Sequence, residues 1–203
     1  MELKTLFQER RSVNFFDKAK PLSAETLKQI IDLAILAPSA FNLQPWKIIA
    51  VKSPEAKQKL FEVANKQPKI LEAPVTLIII GDKNGAATTN SAWKDLPGLI
   101  GEEGTKGAQS GAAFLYASSE DRKLKFAESN SGLLAMSLMY AAKEFGVDSH
   151  PMSGIDFDGI KKAFDLGADD TVVMAIAFGY FDTKQKLYPR RGRKSYAEIV
   201  REV

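Results

Sequence analysis

Cysteine is absent from this 203-residue chain. That removes disulfides, thiolate nucleophiles, dithiol redox chemistry and cysteine-held iron–sulfur centres together, so any redox activity must borrow its electron carrier. Histidine occurs once, at His150, which excludes a metal site built from several imidazoles, and no carboxylate run has the spacing of a calcium loop. Beside Pro151, His150 reads as a solvated loop residue before it reads as a catalyst. No apolar run approaches the roughly 18 residues of a membrane span, and the opening Met-Glu-Leu-Lys-Thr-Leu-Phe lacks the apolar core of a signal peptide. A soluble cytoplasmic protein is expected. The formal net charge, +3, is too small by itself to imply a nucleic-acid partner.

What charge there is has an uneven distribution. Lys184, Lys186, Arg190, Arg191, Arg193 and Lys194 crowd one stretch without an acidic residue among them. A solvated basic tail, a phosphate clamp and a nucleic-acid contact all fit that pattern, although Tyr188 alone offers a stacking surface for single strands. The other unusual stretch is Ala37-Pro38-Ser39-Ala40-Phe41-Asn42-Leu43-Gln44-Pro45-Trp46. Its two prolines stop a helix from running through, and between them stand a hydroxyl and two amides. Ser39, Asn42 and Gln44 can serve a ring of mixed donors and acceptors while Trp46 anchors the next strand by burial; a capped helix end leading into a plain loop is the alternative.

With 45% apolar residues, the chain can close one substantial core over residues 1–203. Leu3, Leu6, Phe7 and Arg10 share helical spacing, which sets Arg10 and Arg11 where the first helix ends. Ser23 is placed to cap a second helix carrying Leu27, Ile30, Ile31 and Ala34, and Ile48 to Val51 reads as a short strand. A third helix is expected after Pro54. Val75 to Ile80 and Val172 to Phe178 are continuous apolar runs, the pattern of central strands covered on both faces. Residues 81–115, rich in glycine, match neither the dinucleotide fingerprint nor the phosphate-loop signature; they are expected to form a surface excursion with short helical pieces. Residues 128–145 predict a core helix, apolar around nearly its whole circumference and closed by Gly146, part of which crosses a subunit interface. Gly146 to Gly154 then reads as a loop, and Asp158 to Leu166 as a short helix. Helices and strands alternate without clean strand-helix-strand units, which favours an α+β fold.

Taken together, five blocks resemble the flavin-dependent nitroreductase family in the family's own order. They are Arg10-Arg11-Ser12-Val13-Asn14, the Ala37 to Trp46 turn, Lys69 to Ile80, Gly146 to Gly154, and Gly179-Tyr180 with Pro189 to Arg193. The resemblance implies a central, mostly antiparallel sheet flanked by helices, with the long apolar helix near a dimer interface. It also implies a homodimer with an FMN site built from both chains at each interface, NADH or NADPH as donor, and nitroaromatic, quinone or similar flat acceptors reduced in a ping-pong cycle. A relative with other chemistry, namely flavin fragmentation, dehalogenation or azoline oxidation, or a flavin binder without turnover, would keep most of the same contacts.

Residue by residue, the resemblance assigns Arg10, Ser12, Arg191 and Arg193 to the FMN phosphate and Asn14 and Lys69 to the pyrimidine side of the ring, and it counts Arg11 and Gln44 among the cofactor-binding residues. Pro38, Ser39, Ala40 and Asn42 match the segment contributed by the second subunit. Pro151, Met152, Ser153 and Gly154 would follow the opposite ring face, with the backbone of Ser153 and Gly154 as electrostatic support. No side chain is a catalytic nucleophile in this scheme. Two positions depart from the pattern. Asn14 stands where many relatives carry Arg or Lys, which removes one positive charge from the ring's surroundings, and Ser153 replaces residues that are often acidic or glycine. Residues 81–115 are the least similar and are expected to lie near the active site and set the acceptor.

Overall fold

In a computed structural model, described here for residues 2–203, the chain opens with helix α1 (Leu3–Glu9), capped at its C-terminus by Arg10 as the spacing predicts. Helix α2 (Ala24–Ala34) starts at Ser23, whose Oγ accepts from the Thr26 N–H at 2.9 Å, satisfying one of the donors a helix N-terminus leaves free. Strand β1 (Trp46–Val51), helix α3 (Pro54–Val63), the short helix α4 (Lys69–Glu72) and strand β2 (Val75–Asp82) follow. Two long helices come next, α5 (Leu96–Tyr116) and α6 (Glu120–Glu144), and then strand β3 (Asp148–Met152), helix α7 (Phe157–Ala163), strand β4 (Asp170–Gly179) and the one-turn helix α8 (Tyr196–Ile199).

The four strands form one antiparallel sheet in the order β1-β2-β4-β3. The two apolar runs, β2 and β4, are its centre, and alternate residues of each point to opposite cores. Ile78, Ile80, Ala175 and Ala177 pack with Leu60 of α3, Ile70 of α4 and Ile160 of α7. Leu77, Ile79, Ile176 and Phe178 pack with Leu27 and Ile30 of α2 and with Leu134 and Leu138 of α6. Layers on both faces explain why these antiparallel strands lack polar alternation. A third cluster, Leu43, Ala86, Trp93, Ala112 and Phe126, joins the Pro38–Gln44 turn to α5 and α6.

Three expectations need correction. Gly146 to Gly154 is not a loop: Gly146, at φ +70°, ends the α6 region, and β3 begins two residues later. Pro151 hid the strand, and it is tolerated because β3 is an edge strand, where a missing N–H breaks no ladder bond. Within residues 81–115 the short helical pieces are confined to a 3-10 turn at Ser91–Trp93; from Leu96 to Tyr116 the glycines lie in a 21-residue helix, α5, interrupted at Gly101 (φ +77°). Helix α6 starts at Glu120 under a Ser119 cap, well before residue 128, because its first turns are charged and mask the core pattern. No helix among the described residues is long and apolar enough to cross a membrane.

Candidate functional site

Where α1 ends, the chain passes alongside β3. Ser12 bridges Ser149, and the Val13 N–H donates to the Ser149 carbonyl at 3.0 Å. The basic tail returns to the same place. Arg190 donates to the carbonyls of Gln8 and of Arg10, the latter at 3.0 Å, and Arg11 donates to the Tyr188 carbonyl. These contacts bring Arg10, Arg11, Ser12, Arg190, Arg191 and Arg193 around one cleft of about 220 Å³. None of the five guanidinium groups has a carboxylate partner among the described residues.

Arg10 is half-buried. Its Nη1 lies out of solvent with no hydrogen-bond partner, and its pKa is held below the usual value, chiefly by burial and then by repulsion from Arg190, Arg193 and Arg11 against a favourable interaction with Tyr140. A buried donor without an acceptor costs about 1–3 kcal/mol. An anion in the cleft would relieve both that deficit and the mutual repulsion, and a phosphate monoester suits the donor set in sign and geometry. The residues therefore fit the phosphate end of FMN.

Further along the same edge, β3 carries His150, half-buried, with its Nδ1 3.0 Å from the Val13 carbonyl. A carbonyl only accepts, so Nδ1 carries the hydrogen. Burial and the nearby Lys69 ammonium push the His150 pKa down to about 4, so His150 is a neutral, structured residue rather than the solvated loop histidine the sequence suggested. Lys69, at the start of α4, is half-buried, with a pKa lowered by that burial against the pull of Glu72. Its Nζ donates to Gln67 Oε1 at 3.1 Å, and Gln67 Nε2 and Asn65 Nδ2 donate to the Gly154 carbonyl at 3.1 and 2.8 Å. Lys69 and Gly154 are thus joined through one amide. Ser153 and Gly154 are exposed just past β3, and Asn14 is half-buried just past Val13.

The Pro38–Gln44 turn lies elsewhere, at the start of β1 on the opposite edge of the sheet. Phe41, Asn42 and Gln44 all have left-handed backbones, with φ of 52°, 55° and 48°, a conformation that costs a non-glycine residue about 1 kcal/mol or more. Bonds within the turn and to α6 hold it. Ser39 Oγ accepts from the Gln44 N–H at 2.9 Å, Gln44 Nε2 donates to the Asn42 carbonyl at 3.2 Å, and the Ala40 N–H donates to Asn130 Oδ1 of α6 at 2.9 Å. Trp46 is half-buried against the α2–α6 core. Within one chain the structure therefore gathers the arginines, Ser12, Lys69 and β3 along one edge, and Pro38, Ser39, Ala40, Asn42 and Gln44 on the other.

A family model described as the nitroreductase family matches residues 7–180. The chain belongs to the nitroreductase family. Among its relatives, MhqN of Bacillus subtilis, named as an NAD(P)H nitroreductase, is 35% identical over 202 residues, covering 98% of each chain. The crystal structure of the nitroreductase ydfN from Bacillus subtilis superposes with a TM-score of 0.92 at 31% identity, covering 100% of this chain and 99% of the other. A nitroreductase from Exiguobacterium sibiricum, solved in complex with FMN, gives a TM-score of 0.87 at 25% identity, with 98% and 96% coverage. The family match stops before the tail that carries the last three arginines of the cleft.

Gln67, Asn130 and Tyr140 contact or border the candidate site, and the sequence pattern does not single them out. Arg190 lies in the basic run, but the family resemblance points to Arg191 and Arg193 instead. Asn130, buried within an apolar helix, is the available signal for a polar group with a fixed partner.

Proposed function

We propose that this nitroreductase-family chain is an FMN-dependent NAD(P)H oxidoreductase that works as a homodimer and reduces flat, electron-poor acceptors such as nitroaromatics and quinones in a ping-pong cycle. The observation that carries this reading is the buried, unpartnered Arg10 nitrogen in an arginine cleft on the same sheet edge as Lys69. FMN, when bound, supplies the ring that accepts two electrons from NAD(P)H and passes them to the acceptor.

The chain's own residues have separate tasks. Arg10, Arg11, Arg191 and Arg193 bind the phosphate, with the Ser12 hydroxyl as a further donor, and Arg190 orients them by fastening the tail to the end of α1. The Lys69 ammonium, directed by Gln67, favours negative charge gained nearby, and Asn14, Pro151, Met152 and the Ser153–Gly154 backbone line the approach to it. His150 stays neutral at pH 7 and fixes the Val13 carbonyl, so it moves no proton. Pro38, Ser39, Ala40, Asn42 and Gln44 act from the other edge of the sheet. With neighbouring strands about 4.8 Å apart, the outer strands of a four-stranded sheet stand roughly 14 Å apart, and α2 and α6 cover the intervening face. A second copy presenting its turn to this chain's arginines closes the site, which supports the homodimer.

Native mass spectrometry tests the reading. A yellow dimer with one noncovalent FMN per chain is expected, and a flavin-free monomer after FMN addition would overturn it. Stopped-flow reduction of the bound flavin by NAD(P)H separates an oxidoreductase from a flavin carrier.

A further inference from the structure

Between the end of α5 and the start of α6 lies a cavity of about 340 Å³ that has no part in holding the phosphate. Its floor is aromatic: Tyr116 and Phe126 stack with ring centres 4.7 Å apart and planes inclined by 23°. Its rim is cationic. Arg122 and Lys125 stand one helical turn apart on α6 and both border the cavity. The neighbouring Lys123 is paired with Glu120 at 2.7 Å, but neither Arg122 nor Lys125 meets a carboxylate among the described residues. Arg122 Nη1 donates to the Leu115 carbonyl at 3.2 Å, which steadies the guanidinium and leaves its other donors unclaimed. Lys125 has no side-chain partner among the described residues. The inner wall is Ala40 with Asn130, so the cavity abuts the turn assigned above to the second half of the flavin site.

From this geometry we propose that the cavity receives the electron acceptor and selects aromatic acceptors that carry an anionic group, a carboxylate or sulfonate, with the ring on Tyr116 and Phe126 and the anion between Arg122 and Lys125. The proposal rests on the oxidoreductase reading for the identity of its ligand as an acceptor. About 340 Å³ is near the lower limit of small-ligand pockets; it admits a one-ring compound and not a dinucleotide. Cationic groups with unclaimed donors attract an anion by charge and by charge-assisted hydrogen bonds, while the aromatic floor alone would take charged and neutral rings alike. The pair on the rim therefore discriminates by charge.

Calorimetric titration of the FMN-loaded protein, without NAD(P)H, compares 4-nitrobenzoate with the neutral 4-nitrobenzamide. The wild type is expected to prefer the anion, and Lys125→Glu to weaken the anion by about tenfold while changing the amide by less than about twofold. Lys125→Gln, which removes the charge without reversing it, gives an intermediate loss. Equal affinity for the two rings in the wild type, or equal weakening of both in the variants, overturns the proposal. So does a Lys125→Glu variant that discriminates against NADPH relative to NADH and leaves nitrobenzoate alone, because the cations would then be reading the donor's phosphate. Failure of the oxidoreductase reading looks different: the bound flavin would resist reduction by NAD(P)H while the calorimetric preference for the anion persisted.

Discussion

Along the β3 edge the candidate site is over-supplied with positive charge and under-supplied with partners, whereas at the start of β1 it is strained in its backbone and almost fully bonded. The arginine cleft holds like charges together, with one guanidinium nitrogen buried and without a partner, an arrangement that a bound anion makes favourable. The Pro38–Gln44 turn spends the Ser39 hydroxyl, the Gln44 amide nitrogen and the Ala40 N–H on internal bonds and on Asn130, and outward it presents Phe41, Asn42 and Gln44, all exposed. The first region waits for a ligand's charge. The second is finished locally and offers shape, so loss of charge should show in ligand affinity and loss of the turn's bonds in stability.

The sharpest way to break that contrast is at Arg10. Arg10→Ala removes the buried donor, and a charge-assisted contact of about 1.5–3 kcal/mol should go with it, about one to two decades in FMN affinity. Riboflavin, lacking the phosphate, should lose much less in an equilibrium titration, and equal losses would mean that Arg10 supports the fold instead. Exposed Arg193, bonded to the Arg191 carbonyl at 2.9 Å, should give a smaller drop in the same assay. Asn130→Ala attacks the other region. It leaves the Ala40 N–H without its acceptor and should destabilise the protein by about 1–3 kcal/mol in urea unfolding, with little change in phosphate-dependent FMN affinity for whatever fraction stays folded.

His150 makes the β3 edge sensitive to acid. Above its ordinary value of 6.5 the imidazole is neutral in both folded and unfolded chains; between 6.5 and about 4 only the unfolded chain takes up the proton. Stability should therefore fall as pH drops through that window and level off below it. Allowing for solvent screening, the loss is about 1–2 kcal/mol. Unfolding midpoints measured across the window should be flatter in His150→Gln than in the wild type. The smallest effect is expected at Lys69. Lys69→Met withdraws a cation from a place where reduction adds negative charge, so spectroelectrochemical titration should show the bound FMN potential falling by tens of millivolts, with phosphate recognition intact. An unchanged or higher potential would remove Lys69 from that role.

Legibility in the sequence followed how much of each element's purpose was local. The β2 and β4 runs, the Ser23 cap and the Arg10–Arg11 exit from α1 were plain because apolar burial and capping act over a few residues. Strand β3 was not, since Asp148, His150 and Pro151 look like a turn until the neighbouring β4 supplies the ladder. Helix α5 is masked because glycine disfavours helix by about 1 kcal/mol each, a penalty that packing against Phe126 and Trp93 offsets. The site divides the same way. Arg10, Lys69 and the Ala37–Trp46 turn stood out as residue types in a family-like order, but Arg190's grip on the end of α1 and the Gln67 link between Lys69 and Gly154 are relations across many residues of chain. No periodicity encodes them.

Pro151 has a bearing on what can add to the edge of this sheet. An outermost strand is a template to which another chain can add, and the hazard grows when apolar side chains lie exposed nearby. On β3 the outward row of backbone groups is already broken: the Ser149 carbonyl is taken by the Val13 N–H, and Pro151, two residues on, has no N–H to give. A foreign strand arriving there would find no continuous run of donors and acceptors to copy. The chain can thus keep a greasy flank uncovered elsewhere, as at Leu36, Leu99 and Phe114, without inviting fibre-like growth from this side of its sheet.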